Sequence, residues 1–207
     1  MSKSLVHSLA AAAVLLAFTV PASASLVVDT GTPDGKLVGA YGFESADFYA
    51  GHLTFNDAAQ IRSIQTHVLG GTAGETFTVA LYADSASHLP GIELFQASAT
   101  FGADGWNGVS GLSGWNVSTG DFWVAFEVRA GDDLGSGSIT GALLDRGVPA
   151  PLLRTAFNVG SDYRLSARPL DFGLRVDATA PVPEPAVNVL MLAGVACMAL
   201  VGRRRRN

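Results

Sequence analysis

Sulfur is nearly missing from this sequence. One cysteine, Cys197, occurs in 207 residues, which excludes an intramolecular disulfide and a cysteine-ligated metal site. Charge is sparse as well, at 15% of residues, and it leans acidic, with 13 Lys plus Arg against 18 Asp plus Glu. An acidic surface argues against nucleic acid and anionic polymers as partners. His52, His67 and His88 share no short spacing of the kind that seats a metal, and each reads as an exposed or hydrogen-bonded side chain. No cofactor and no metal are therefore expected. Asp132-Asp133 in a glycine turn is an oxygen-rich pair of the sort that shares Ca²⁺, but a solvated turn is the favoured reading.

Catalytic signatures are missing too. No Gly-x-Ser-x-Gly occurs; Gly108-Val109-Ser110-Gly111-Leu112 ends in leucine, and an all-β domain lacks the strand–turn–helix elbow that such a serine needs. Gly31-Thr32-Pro33-Asp34-Gly35-Lys36 is one residue short of a phosphate loop. Leu26-Val27-Val28-Asp29-Thr30-Gly31 resembles the strand that delivers an aspartic-protease carboxylate. That chemistry needs two facing carboxylates sharing a proton, and no second Asp-Thr-Gly or Asp-Ser-Gly follows. Asp29 lies so near the start of an exported domain that no strand is expected before its own, and a strand ending in an Asp-Gly turn is the favoured reading. An aspartic-type hydrolase is thus a distant third reading.

What is present is alternation. Phe77, Val79 and Leu81 alternate with Thr78 and Ala80. Phe122, Val124, Phe126 and Val128 alternate with Trp123, Ala125, Glu127 and Arg129, and Leu170, Phe172, Leu174 and Val176 form a third set. Period two with one apolar face marks strands that cover a core on one side. Further strands are expected near 36–41, 48–55, 61–68, 92–98 and 109–117, with turn formers between them. Residues 134–160 read as a loop over the mouth of the fold. No sustained 3.6 periodicity occurs between residues 25 and 180. The expected class is all-β, an antiparallel β-sandwich of jelly-roll type.

The two ends are different in kind. Lys3 precedes an apolar stretch from Leu9 to Val20, and Pro21-Ala22-Ser23-Ala24 offers small residues to a signal peptidase. This pattern predicts a secretory signal peptide over 1–24, cleaved between Ala24 and Ser25. At the other end the run from Ala186 to Gly202 is 17 residues long, which as a helix spans about 25 Å and nearly crosses a bilayer core. Arg203, Arg204, Arg205 and Arg206 follow it, and basic residues stay on the cytoplasmic side. Before it stand Val182-Pro183-Glu184-Pro185, an extended stretch that cannot join a sheet or start the helix early. Without its ends the domain at 25–180 holds eight basic against seventeen acidic side chains, a net charge of −9. It is long enough to bury one core without staples.

A Pro-Glu-Pro motif, a hydrophobic helix and a terminal arginine cluster, in that order, resemble the PEP-CTERM sorting signal over 181–207. The resemblance implies a substrate of an exosortase-like membrane protease in an exopolysaccharide-producing Gram-negative bacterium. The inner membrane is then a transient station, and the destination is the cell surface or extracellular matrix. The segments 77–84, 89–91, 106–112 and 122–127 resemble uncharacterised sandwich-like ectodomains found on such tails, which implies an architecture and no activity.

Two functional readings from different classes follow. One is a non-catalytic surface or matrix protein. The other is a carbohydrate-binding module for exopolysaccharide, in which Trp106, Trp115 or Trp123 stacks on sugar rings. Exposed, coplanar indoles would favour the second reading, and buried ones the first.

Overall fold

Alternation turns into two sheets that share one core. The computed structural model describes residues 24–33, 41–135, 137–139, 152, 154–159, 162–167 and 172–179. The expected signal-peptide stretch 1–23, the Val182–Pro185 motif, the apolar run 186–202 and Arg203–Arg206 lie outside the described residues. So do most of the expected strand 36–41 and the stretch 140–151.

Among the described residues all regular structure is β. One antiparallel sheet runs β12 (Arg164–Leu165), β11 (Thr155–Val159), β3 (Asp47–Phe55), β9 (Gly120–Glu127), β5 (Thr76–Asp84) and β6 (Pro90–Thr100). The second runs β1 (Ala24–Asp29), β13 (Leu174–Thr179), β4 (Ala59–Leu69), β10 (Gly137–Ile139) and β2 (Tyr41–Phe43), with β7 (Gly105–Ser110) and β8 (Asn116–Val117) also paired to β4. We call these the six-stranded and seven-stranded sheets.

The expected inward sets point inward. Phe77, Val79 and Leu81 of β5 and Phe122, Val124 and Phe126 of β9 join Ile61, Ile64 and Val68 of β4 and Leu174 and Val176 of β13 in one buried cluster. The cluster draws on both sheets, so the two layers form a sandwich around it. Gly51 of β3 lets the two layers approach closely: a Cβ there would lie 2.9 Å from Leu152 Cδ1 and 3.3 Å from Leu174 Cδ2.

Two expectations need correction. The strand expected over 109–117 is broken into β7 and β8, because Gly111 and Gly114 take left-handed conformations (φ 68° and 78°). Both pieces still bond to β4, opposite 63–68 and 59–60. The stretch 134–160 is not simply a loop. β10 pairs with β2 and β4, β11 pairs with β3 and β12, and the Leu134 side chain is 1% exposed.

Candidate functional site

A strand buried on one face should show water on the other. In β9 the outward residues after Asp121 show none: Trp123, Ala125 and Glu127 are each 0% exposed. The sheet register explains how. Trp123 lies between His52 of β3 and Tyr82 of β5, and Ala125 lies between Ala50 and Ala80. Ala156 of β11 extends the alanine row beyond Ala50. These four small side chains leave a trough that the Trp123 indole fills, with Tyr82, Leu89 and Tyr163 packed against it.

One end of the trough is closed by a polar network. Glu127 Oε1 accepts from the Tyr82 and Tyr163 hydroxyls, and its Oε2 accepts from Arg129 Nε. Arg129 also donates to the Tyr82 hydroxyl, to Glu93 and to Gln96. A fully buried carboxylate is thus satisfied by three donors, as burial of a charge requires. Burial, and then the Glu127 charge, pushes both tyrosine hydroxyls well above their ordinary range. They stay protonated and act as donors.

The other end holds a tighter group. Asp84 Oδ1 accepts from Trp123 Nε1 at 2.7 Å, and Asp84 Oδ2 lies 2.9 Å from His88 Nδ1. Burial alone would raise the Asp84 carboxyl, but the bonds from Trp123 and His88 hold it below its ordinary value. Asp121 Oδ1 accepts from Thr54 Oγ1 at 2.5 Å. His52 stands edge-on to Trp123, with ring centroids 5.1 Å apart, and its Nε2 is 3.8 Å from Asp121 Oδ1. Burial holds His52 below its ordinary pKa, against the pull of Asp121 and Asp84. Ligand atoms of His52, Asp84 and Asp121 lie within 4.8 Å of one another. Among the described residues these are the side chains able to hold a metal ion together. Beside them the 85–90 turn, Asn158, Asp162 and Tyr163 line an open groove of about 330 Å³.

The sequence-predicted residues fall elsewhere or change role. Trp115 is 7% exposed and stacks on Phe95 with ring centroids 5.3 Å apart. Neither it nor Trp123 offers a face to a sugar, so burial overturns the expected contact at both. Trp106 is half-buried on the outer face of the seven-stranded sheet. Its edge meets His67, and Arg175 Cζ sits 3.9 Å from its centroid, which occupies one ring face. The three indoles are not brought together.

Asp132 and Asp133 turn to separate tasks. Asp132 Oδ2 accepts from Thr78 Oγ1 and the Arg129 amide, whereas Asp133 Oδ1 accepts from the Thr76 amide and hydroxyl. Asp29 closes β1, so the stretch is the strand ending in a turn that the sequence favours. Its carboxylate accepts from the Gly31 amide and Arg175 Nε, and Thr30 Oγ1 is bonded to β13 backbone. Asp-Thr-Gly therefore fastens β1 to β13 by a turn.

Sequence reasoning missed the His52–Asp84–Asp121 group. Its members sit on three strands far apart in the chain, so no spacing announces them. The available signal was register: once β3, β9 and β5 are neighbours, outward positions fall into one patch. Comparison with protein-family models and with curated proteins returns no match.

Proposed function

We propose that this chain is an exported precursor whose β-sandwich, residues 25–180, is delivered to the cell surface or extracellular matrix as a non-catalytic protein. In this reading signal peptidase removes residues 1–24, and an exosortase-like membrane protease processes the 181–207 sorting signal while its apolar run crosses the inner membrane. The observation that carries the reading is that the first and last described strands lie side by side. β1 and β13 are antiparallel neighbours, with Ala24 opposite Thr179 and Ser25 opposite Ala178. Cleavage after Ala24 costs β1 a single residue, and the proline segment begins two residues after β13 ends. Cleavage at both places leaves the pairing of β1 with β13 from Ser25 and Ala178 onward in place. Among the described strands the chain changes sheet eight times, at β2–β3, β3–β4, β4–β5, β6–β7, β8–β9, β9–β10, β10–β11 and β12–β13, which supports the jelly-roll-like wrapping expected for such an ectodomain. The occupied carboxylate of Asp29 supports the non-catalytic assignment.

Polysaccharide binding by the ectodomain now rests on Trp106 alone and is the lesser reading. Replacing Pro183, Glu184 and Pro185 together by alanine tests the greater one. The variant should accumulate in the inner membrane as a precursor that keeps Arg203–Arg206. Maturation at the wild-type rate would defeat the sorting assignment.

A further inference from the structure

The outer face of the six-stranded sheet contains a nitrogen with no hydrogen-bond partner among the described residues. It is His52 Nε2, a buried atom of a side chain that is 9% exposed. The nearest acceptor across from it, Asp121 Oδ1, is 3.8 Å away, beyond hydrogen-bond range. Among the described residues Thr179 Oγ1 is the one other buried side-chain polar atom without a partner, so the orphan points to something absent from the protein itself.

We propose that His52, Asp84 and Asp121 form a binding site for a divalent transition-metal ion of the Zn²⁺ type, with His88 as its fourth arm. The grouped donors are one imidazole nitrogen and two carboxylates, and His88 adds a second imidazole, a nitrogen–oxygen mixture that suits Zn²⁺. Ca²⁺ instead asks for six or more oxygens, which this group does not supply. Two carboxylates around a neutral imidazole present a net charge of −2, matched to a dication. The supporting bonds are those that metal-binding carboxylates use. Trp123 Nε1 fixes Asp84 through Oδ1 and Thr54 Oγ1 steadies Asp121. The Trp123 donor is itself immobile, because its ring is 0% exposed.

The ligand atoms must close from within 4.8 Å to the roughly 3.4 Å separating tetrahedral ligands at ordinary Zn–N and Zn–O bond lengths. The side chains free to move are the right ones: Asp121 is 46% exposed and His88 is 58% exposed. His88 Nδ1 is already beside Asp84 Oδ2 at 2.9 Å, so a metal displaces one contact and gains a ligand. The site faces outward, next to the groove along the 85–90 turn, which gives an ion its way in. None of this depends on how the chain is exported or processed.

The test uses the full-length chain, purified in detergent, stripped with a chelator and titrated calorimetrically with ZnCl₂, and in parallel with CaCl₂. One Zn²⁺ per chain should bind, and a hundredfold excess of Ca²⁺ should not displace it. His52→Gln and Asp121→Asn should each weaken binding by about tenfold or more, and His88→Gln by less. Asp121→Asn alters a half-exposed side chain, so an unchanged metal-free melting temperature will show that its loss of affinity is not misfolding. Absence of binding overturns the proposal. So does affinity unchanged in Asp121→Asn, or binding abolished by His88→Gln while His52→Gln keeps it, which would mark an adventitious surface histidine.

Discussion

The two faces of β9 beyond Asp121 are buried to nearly the same degree by different means. On the inner face Phe122, Val124 and Phe126 meet a whole second sheet. On the outer face Trp123, Ala125 and Glu127 are equally inaccessible, yet what covers them is a turn, a short segment and their own neighbours' side chains. The inner face needs area, and area is non-directional. The outer face needs matched donors and acceptors, because each buried polar atom left unpaired costs stability. One strand, β9, thus obeys two rules on alternate residues.

Adjacent substitutions in β9 set the rules against each other. Phe126→Ala removes a ring from the shared core and should cost about 4 kcal/mol in chemical denaturation, the largest effect expected here. Glu127→Ala, one residue on, removes no comparable apolar area. It strands two tyrosine hydroxyls and part of Arg129, and should still cost about 3 kcal/mol. A cost under about 1 kcal/mol would mean the outer network is ornamental and the comparison fails. Trp123→Phe keeps most of the ring but deletes the donor to Asp84, for an expected loss of about 2 kcal/mol. Most of the hydrogen-bond share should vanish when the same change is made in an Asp84→Asn background. Equal losses in both backgrounds would assign the whole effect to volume.

The smallest effect belongs to the outer face of the other sheet. His67 is 6% exposed, and burial holds it below its ordinary pKa of 6.5, with Asp104 opposing and Arg175 adding to the shift. The unfolded chain then takes up a proton that the folded chain refuses. Stability is full above pH 6.5 and declines as the pH falls from there toward the lower folded value. His52 is shifted the same way and for the same first cause, so His67→Gln should flatten the acid limb without abolishing it. A limb unchanged in slope would show that His67 is protonated alike in both states.

How much of this could be read from sequence follows from the same contrast. Period-two alternation named the inward residues of β5 and β9, because an inner face needs only apolar area and hydropathy records that. It also placed Trp123 and Tyr82 on the opposite face. It could not report what lies over them, since the covering pieces, Leu89 and Tyr163, come from distant turns. Trp123 consequently looked like a stacking platform and is a buried hydrogen-bond donor. Gly111 and Gly114 read as part of one strand over 109–117, because their left-handed backbone shows only in coordinates. The short strands β10 and β11 flank Gly- and Pro-rich sequence that masks any period. His52, Asp84 and Asp121 converge only through strand order, which local pattern does not encode.

We propose that the sandwich is released from both terminal segments. The most direct test of this release is the intact mass of the protein recovered from the cell surface, together with its N-terminal sequence. The account predicts a chain that begins Ser25-Leu26-Val27, retains β13 through Thr179 and lacks Arg203–Arg206. Surface material that begins at Met1, or that carries its C-terminus through Asn207, would contradict it.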